Sequence, residues 1–231
     1  MFRKQSKYIY YIVPQQPTVT ANQPTVNVIQ PIPASATLYY FDTHGRGEMI
    51  RAIFRYYKIH YEDVRIRMDQ WPAIKFDSKF EYAVLPVLEW KGQYISQSHA
   101  ILYFLGKEFK CIPNDPMDEY EMNNVICCVS DLATAVGNIF FTSKTPEERN
   151  QRLGEHFSKT VPFYIERFEN KLKIKSNSNF IAGSCISLAD FAIAGMAIGI
   201  FALPDGTLIK KNICEKYPLF AKYVDGLLKL V

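Results

Sequence analysis

The stretch from Leu85 to Ile101 constrains this chain more than any other. Leu85-Pro86-Val87-Leu88-Glu89 reads as a strand opened by a proline, and Gly92 marks a tight turn. Gln93–Ile95 then reads as a second strand, and a helix opens at Gln97-Ser98. Two short strands joined this tightly form an antiparallel hairpin, which fixes where the following helix begins. A helix N-terminus offers free N–H groups and a partial positive charge, which suits a small anion. Ser96 is placed to cap that helix, and the side chains of Gln97 and Ser98 add donors beside it. A cis bond at Leu85-Pro86, a minority state at about 5–6% of X–Pro bonds, would hold a backbone edge open for a peptide-like ligand. Two readings stand on these residues alone: a pocket for an extended molecule with a carboxylate and an amide, or an ordinary hairpin followed by a helix.

The surrounding periodicities supply a frame. Thr37–Phe41 is strand-like, and Glu48–Tyr57 carries Ile50, Ile53, Phe54 and Tyr57 on one helical face. Asp63–Met68 alternates, with Val64, Ile66 and Met68 on one side, and Gln97–Phe109 is helical. The order β-α-β, loop, β-β-α is that of a thioredoxin-like domain, here residues 37–111. Ile112-Pro113-Asn114-Asp115-Pro116 reads as a linker. Residues 117–231 then read as an all-helical domain, with helices over Glu119–Phe141, Pro146–Lys173, Ser187–Leu203 and Cys214–Leu230. Pro162 should kink or break the second of these. Ser187 with Asp190 three residues on resembles a capping box, and Ala192–Leu203 reads as a buried core helix.

Four motifs carry a resemblance. Leu85-Pro86-Val87-Leu88 followed by Ser96-Gln97-Ser98 is the first. Tyr40-Phe41, then Gly45-Arg46-Gly47-Glu48 and Ile50-Arg51, is the second. Asp69-Gln70-Trp71-Pro72-Ala73-Ile74-Lys75 is the third, and Gly183 to Asp190 is the fourth. Together and in this order they resemble the cytosolic glutathione transferases, most of all the sigma class, from Leu38 to the C-terminus. The resemblance implies a thioredoxin-like glutathione-binding domain, an all-helical C-terminal domain and glutathione as co-substrate.

It also implies roles. Tyr40 matches the family's catalytic tyrosine, whose hydroxyl would stabilise the glutathione thiolate; the plain alternative is that it packs. Arg46 matches the helix-opening arginine near the sulfur. Trp71 and Lys75 match the holders of the glycine end, the backbone at Leu85 and Pro86 would pair with the cysteinyl amide, and Gln97 and Ser98 match the holders of the γ-glutamyl end. Asp131 lies close to the acidic residue that reaches a neighbouring subunit's glutathione, with Leu132 at the strict match. There are departures. His44 stands where another arginine is common, and Val84 replaces a polar or charged residue before Leu-Pro. Cys128 occupies a position that is acidic in metal-responsive prostaglandin-isomerising members, which weighs against that activity and against divalent-metal activation.

Residues 1–36 differ from the rest. They hold five prolines and no glycine, and no acidic residue occurs before Asp42. They read as an extended arm without a core. Its basic, aromatic start fits a mitochondrial-type targeting segment, an anchor onto a partner, or a tail. The cysteine usage points to a cytoplasmic address, and this start supplies a mitochondrial one as the alternative. A net charge of +4 is too small to argue for nucleic acid. No apolar run looks long enough to span a bilayer. Five cysteines without a Cys-x-x-Cys pair, and four scattered histidines, point away from disulfides and from a structural metal.

Two functions fit. One is a transferase joining glutathione thiolate to a small hydrophobic electrophile, working as a homodimer. The other is a transferase-like adaptor subunit of a larger assembly, anchored by the arm.

Overall fold

The computed structural model describes residues 36–175, 178–203 and 206–231. The expectations for the extended arm lie outside the described residues, except at Ala36, which already belongs to the first strand.

Strand β1, Ala36–Phe41, alternates buried and half-buried residues. Leu38 joins the main core and Tyr39 a smaller cluster with Ile66, Phe80 and Val87. Helix α1, Gly45–Tyr56, buries Met49, Ile50, Ile53 and Phe54, the spacing of one helical face. Strand β2, Glu62–Ile66, pairs parallel to β1. It is shorter than the alternation over Asp63–Met68 suggests: the chain turns after Ile66, and Met68 is exposed rather than on a sheet face. A short helix, α2 (Trp71–Ile74), leads to the hairpin of β3, Val87–Trp90, and β4, Gln93–Ser96. Helix α3 covers Ser98–Glu108. The sheet order is β2-β1-β3-β4, with β1 and β3 antiparallel, which is the expected mixed thioredoxin-like sheet.

The rest is helical. Helix α4, Pro116–Thr142, starts inside the expected linker, because Asp115 caps it by accepting from the N–H groups of Met117 and Asp118. By length and composition this helix could cross a membrane, contrary to the sequence expectation. Here Met122, Val125, Ile126, Val129 and Leu132 are instead buried in the core. Helix α5, Pro146–Glu155, passes through a π-helical turn, His156–Thr160, into α6, Val161–Ile174. Pro162 has no N–H for the usual helical bond, and the wider turn is how the chain absorbs it. Helix α7 runs from Leu188 to Phe201. The helix expected over Cys214–Leu230 is two helices, α8 (Gly206–Lys216) and α9 (Pro218–Leu228), divided where Pro218 takes the first-turn position.

Helix α7 is buried on nearly every side and packs against α1. The approach is close: a Cβ on Gly195 would lie 2.6 Å from the backbone N of Met49. At the start of α7, the fully buried Asp190 accepts from the N–H of Ser187 at 2.7 Å and its hydroxyl at 2.9 Å. It also accepts from the N–H of Ile181 at 3.1 Å and the hydroxyl of Tyr223 at 2.5 Å. Burial pushes this carboxyl up, and the four donors oppose the shift.

Candidate active site

Strand register gathers the predicted residues at one end of the sheet. Tyr39 pairs with Val87, so the next residue, Tyr40, runs beside Pro86 in the antiparallel sense. Val87 pairs with Ser96, which sets Gln97 next to Pro86 from the other side. Tyr40 and Arg65 are opposite in the parallel pair, so the segment after β2, with Trp71 and Lys75, leaves the sheet at the same end. Leu85–Pro86 is cis, as the resemblance implies.

Tyr40 is buried, with its ring in a slot formed by two glycines. A Cβ on Gly45 would lie 2.6 Å from the Tyr40 hydroxyl, and one on Gly47 would lie 2.6 Å from Cδ1 of its ring. The backbone N–H of Arg46 donates to the Tyr40 oxygen at 3.0 Å. One lone pair is thus occupied and the phenolic proton remains available to donate. Burial pushes the Tyr40 hydroxyl up, against the pull of the Arg46 N–H and the charges of Arg46 and Arg51. The group therefore stays a protonated donor at neutral pH. Tyr39, as expected, faces the other way: its hydroxyl donates to Glu89 at 3.1 Å, and burial with that carboxylate pushes it up to about 12.

Behind Tyr40 sits a charge network that the sequence reading did not find. Arg51 is only 1% exposed, and its guanidinium lies 5.7 Å from the centroid of the Tyr40 ring. It donates to Glu48 at 3.1 Å, to both oxygens of Asp63 and to the carbonyl of Thr43 at 3.2 Å. Burial works against ionisation of Glu48, but Arg55, His44 and Arg51 outweigh it and hold that carboxyl below its ordinary range. The sequence signal was present in Glu48 and Arg51, three apart on one helix. What it could not show is that both turn inward.

The Arg46 side chain reaches across to α4, donating from Nη2 to Thr134 Oγ1 at 2.5 Å and to the Ser130 carbonyl at 3.4 Å. Its Nε is buried and has no acceptor among the described residues. Trp71 packs edge-on against Phe41 and Phe80, with ring centroids 5.7 and 5.1 Å apart. The ammonium of Lys75, which ends α2, lies 4.9 Å from the centroid of the Phe76 ring. Gln97 takes the N-cap position with φ +72°, a left-handed conformation that costs a non-glycine residue about 1–3 kcal/mol. Ser98 begins α3. Among the described residues no side chain caps this helix and the buried Ser96 hydroxyl has no partner, so the expected Ser96 cap is not formed. Asp131 is exposed on α4 between half-buried Ser130 and buried Leu132. Among the described residues no cluster of histidine, cysteine or carboxylate side chains is arranged to hold a metal ion.

A β2-β1-β3-β4 sheet with a cis proline just before β3, joined to an all-helical half, is a thioredoxin-like fold with an appended helical domain. Two family models match it: the glutathione S-transferase N-terminal domain over residues 36–107 and the C-terminal domain over 130–230. Glutathione S-transferase S1 of Drosophila melanogaster is 27% identical over 197 residues, covering 85% of this chain and 75% of that one. A probable glutathione S-transferase 5 of Caenorhabditis elegans is 31% identical over 170 residues, covering 73% and 82%. The solved structure of prostaglandin synthase D of Nilaparvata lugens superposes with a TM-score of 0.69 at 27% identity, over 85% and 93% of the two chains. The chain belongs to the glutathione S-transferase family.

Proposed function

We propose that this protein conjugates glutathione to small hydrophobic electrophiles. The observation that carries the reading is the Tyr40 hydroxyl, whose oxygen accepts the Arg46 N–H while its proton stays free. A free thiol ionises near pH ~8.5, and lowering that by about two units stabilises the thiolate by roughly 2.7 kcal/mol. A phenolic O–H aimed at the sulfur supplies part of this, and the Arg46 cation supplies more. The thiolate then attacks an electrophilic carbon, forming a C–S bond as the leaving group departs with its electron pair.

The remaining roles are those the family resemblance implies, and the position of their segments at one end of the sheet supports them. Lys75 and the indole N–H of Trp71 take the glycine carboxylate. The Leu85 and Pro86 backbone takes the cysteinyl amide. Gln97 and Ser98, at the uncapped start of α3, take the γ-glutamyl end, where free N–H groups and the helix dipole favour its carboxylate. Asp131 is the residue offered to the γ-glutamyl ammonium of a second copy of the chain. A homodimer at a cytoplasmic address completes the reading. The basic, acid-free segment 1–36 is what supports the alternatives of a larger assembly and a mitochondrial address.

Retention on immobilised glutathione, with turnover of a generic aryl halide that saturates in glutathione, is the expected result. A folded protein that neither binds glutathione nor turns over would sink the proposal.

A further inference from the structure

We propose that Thr134, on α4, is a positioning residue that clamps the Arg46 guanidinium to the helical domain and so fixes where this cation sits relative to the Tyr40 hydroxyl, which the Arg46 backbone binds. The inference rests on the function proposed above and names a residue of that same site. Arg46 makes two kinds of contact. Its backbone N–H is committed to the Tyr40 oxygen at 3.0 Å. Its side chain crosses to a helix more than eighty residues away in sequence, where Nη2 meets Thr134 Oγ1 at 2.5 Å.

The Thr134 hydroxyl is oriented for this task. Its own proton goes to the Ser130 carbonyl at 2.7 Å, one helical turn back. With the proton committed there, the hydroxyl can only accept from Arg46. A charge-assisted bond to an oriented acceptor restricts a long side chain that otherwise keeps many rotamers. Nη2 is thereby pinned on α4, while the buried Nε–H has no acceptor among the described residues. That N–H is the donor Arg46 retains for a ligand atom. The charge near Tyr40 thus depends on a hydroxyl of the other domain, and the two halves of the molecule build the site together.

The test uses Thr134→Val, which keeps the branched shape and loses the oxygen, and Thr134→Ser, which restores it, both in the full chain. Thr134 is exposed on α4, so both variants are expected to fold. With glutathione and an aryl halide, Thr134→Val should lower kcat/KM by about fivefold to tenfold, a step of about one unit or less in thiol pKa. The acidic limb of the pH profile should move to higher pH, and Thr134→Ser should return both readings to within about twofold. The thiolate absorbance of the enzyme–glutathione complex should titrate in parallel, without any electrophile present. In an Arg46→Ala background, Thr134→Val should have no further effect, because the coupling runs through the guanidinium.

An unmoved pH limb in Thr134→Val overturns the proposal, whether turnover is kept or lost, since loss alone would mark a packing residue. An equal cost of Thr134→Val with and without Arg46 also overturns it. If the unaltered protein shows no turnover and no bound thiolate, the proposed function itself has failed, a result distinct from either of these.

Discussion

Gly47 leaves the space that Tyr40 fills: a Cβ at this position would sit 2.6 Å from Cδ1 and 2.7 Å from Cγ of the ring. The backbone there is helical, so alanine would suit it and favour the helix by roughly 0.5–1 kcal/mol. The clash with the ring opposes that gain at about 1–3 kcal/mol. Gly47→Ala is therefore expected to cost up to about 2.5 kcal/mol of stability, read as a lowered melting temperature, while displacing the phenol ring and lowering aryl-halide turnover at least about fivefold. Unchanged turnover would show that the ring position does not matter to the chemistry.

Tyr40→Phe removes the free phenolic proton and the acceptor for the Arg46 N–H. Turnover should fall by roughly one to two orders of magnitude, with glutathione affinity nearly kept, because the ends of the ligand are held elsewhere. Stability should drop by about 1 kcal/mol for the unpaired N–H. Equilibrium binding of glutathione measured alongside kcat separates these effects, and a loss confined to affinity would contradict the role.

Asp190 is more than a helix cap. Removing its carboxylate in Asp190→Ala strands two backbone N–H groups and two hydroxyls in a buried place. The expected loss is about 3–5 kcal/mol, beyond the ~0.5–2 kcal/mol of a cap alone. Denaturant unfolding of the variant reads this directly, and a cost under about 1 kcal/mol would show that these groups find other partners.

His156 gives stability a pH dependence of known sign. The ring is buried, its Nε2 has no partner among the described residues, and burial holds its pKa below the ordinary value for histidine. The unfolded chain therefore takes up this proton before the folded chain does as the pH falls. The stabilising contribution is present above the unfolded pKa, near ~6.5, and is lost as the pH drops toward the folded value. His156→Phe should flatten the fall in unfolding free energy between about pH 7 and pH 5. Parallel curves for the two proteins would rule out this role.

Local patterns carried most of what was legible. The alternation in β1, the hairpin after Pro86 and the Ser187–Asp190 start of α7 each depend on residues close in sequence, and each is found where the pattern places it. The segments that the motif resemblance names lie at one end of the sheet, and strand register explains why they converge there. What escaped depends on the tertiary fold. Nothing near Thr134 signals a bond to Arg46, and nothing in Glu48 or Arg51 says that a charged pair turns inward behind a tyrosine. Ser96 looked like a cap by spacing, but Gln97 swings to positive φ and turns the backbone away from that geometry. The division of the last helix at Pro218 was written in the sequence as a first-turn proline, and a continuous apolar pattern across it hid the break.

The meeting of Gly195 with the Met49 backbone has a consequence for how the molecule comes apart. Helix α1 belongs to the sheet half, and its inner face, Met49, Ile50 and Ile53, is covered by a helix drawn from the far end of the chain. Neither half can open without exposing the other's core. The chain should therefore melt as one cooperative unit, with a single calorimetric transition whose van't Hoff and measured enthalpies agree. Amides of α1 and α7 should share the slowest hydrogen exchange, opening only when the whole molecule does.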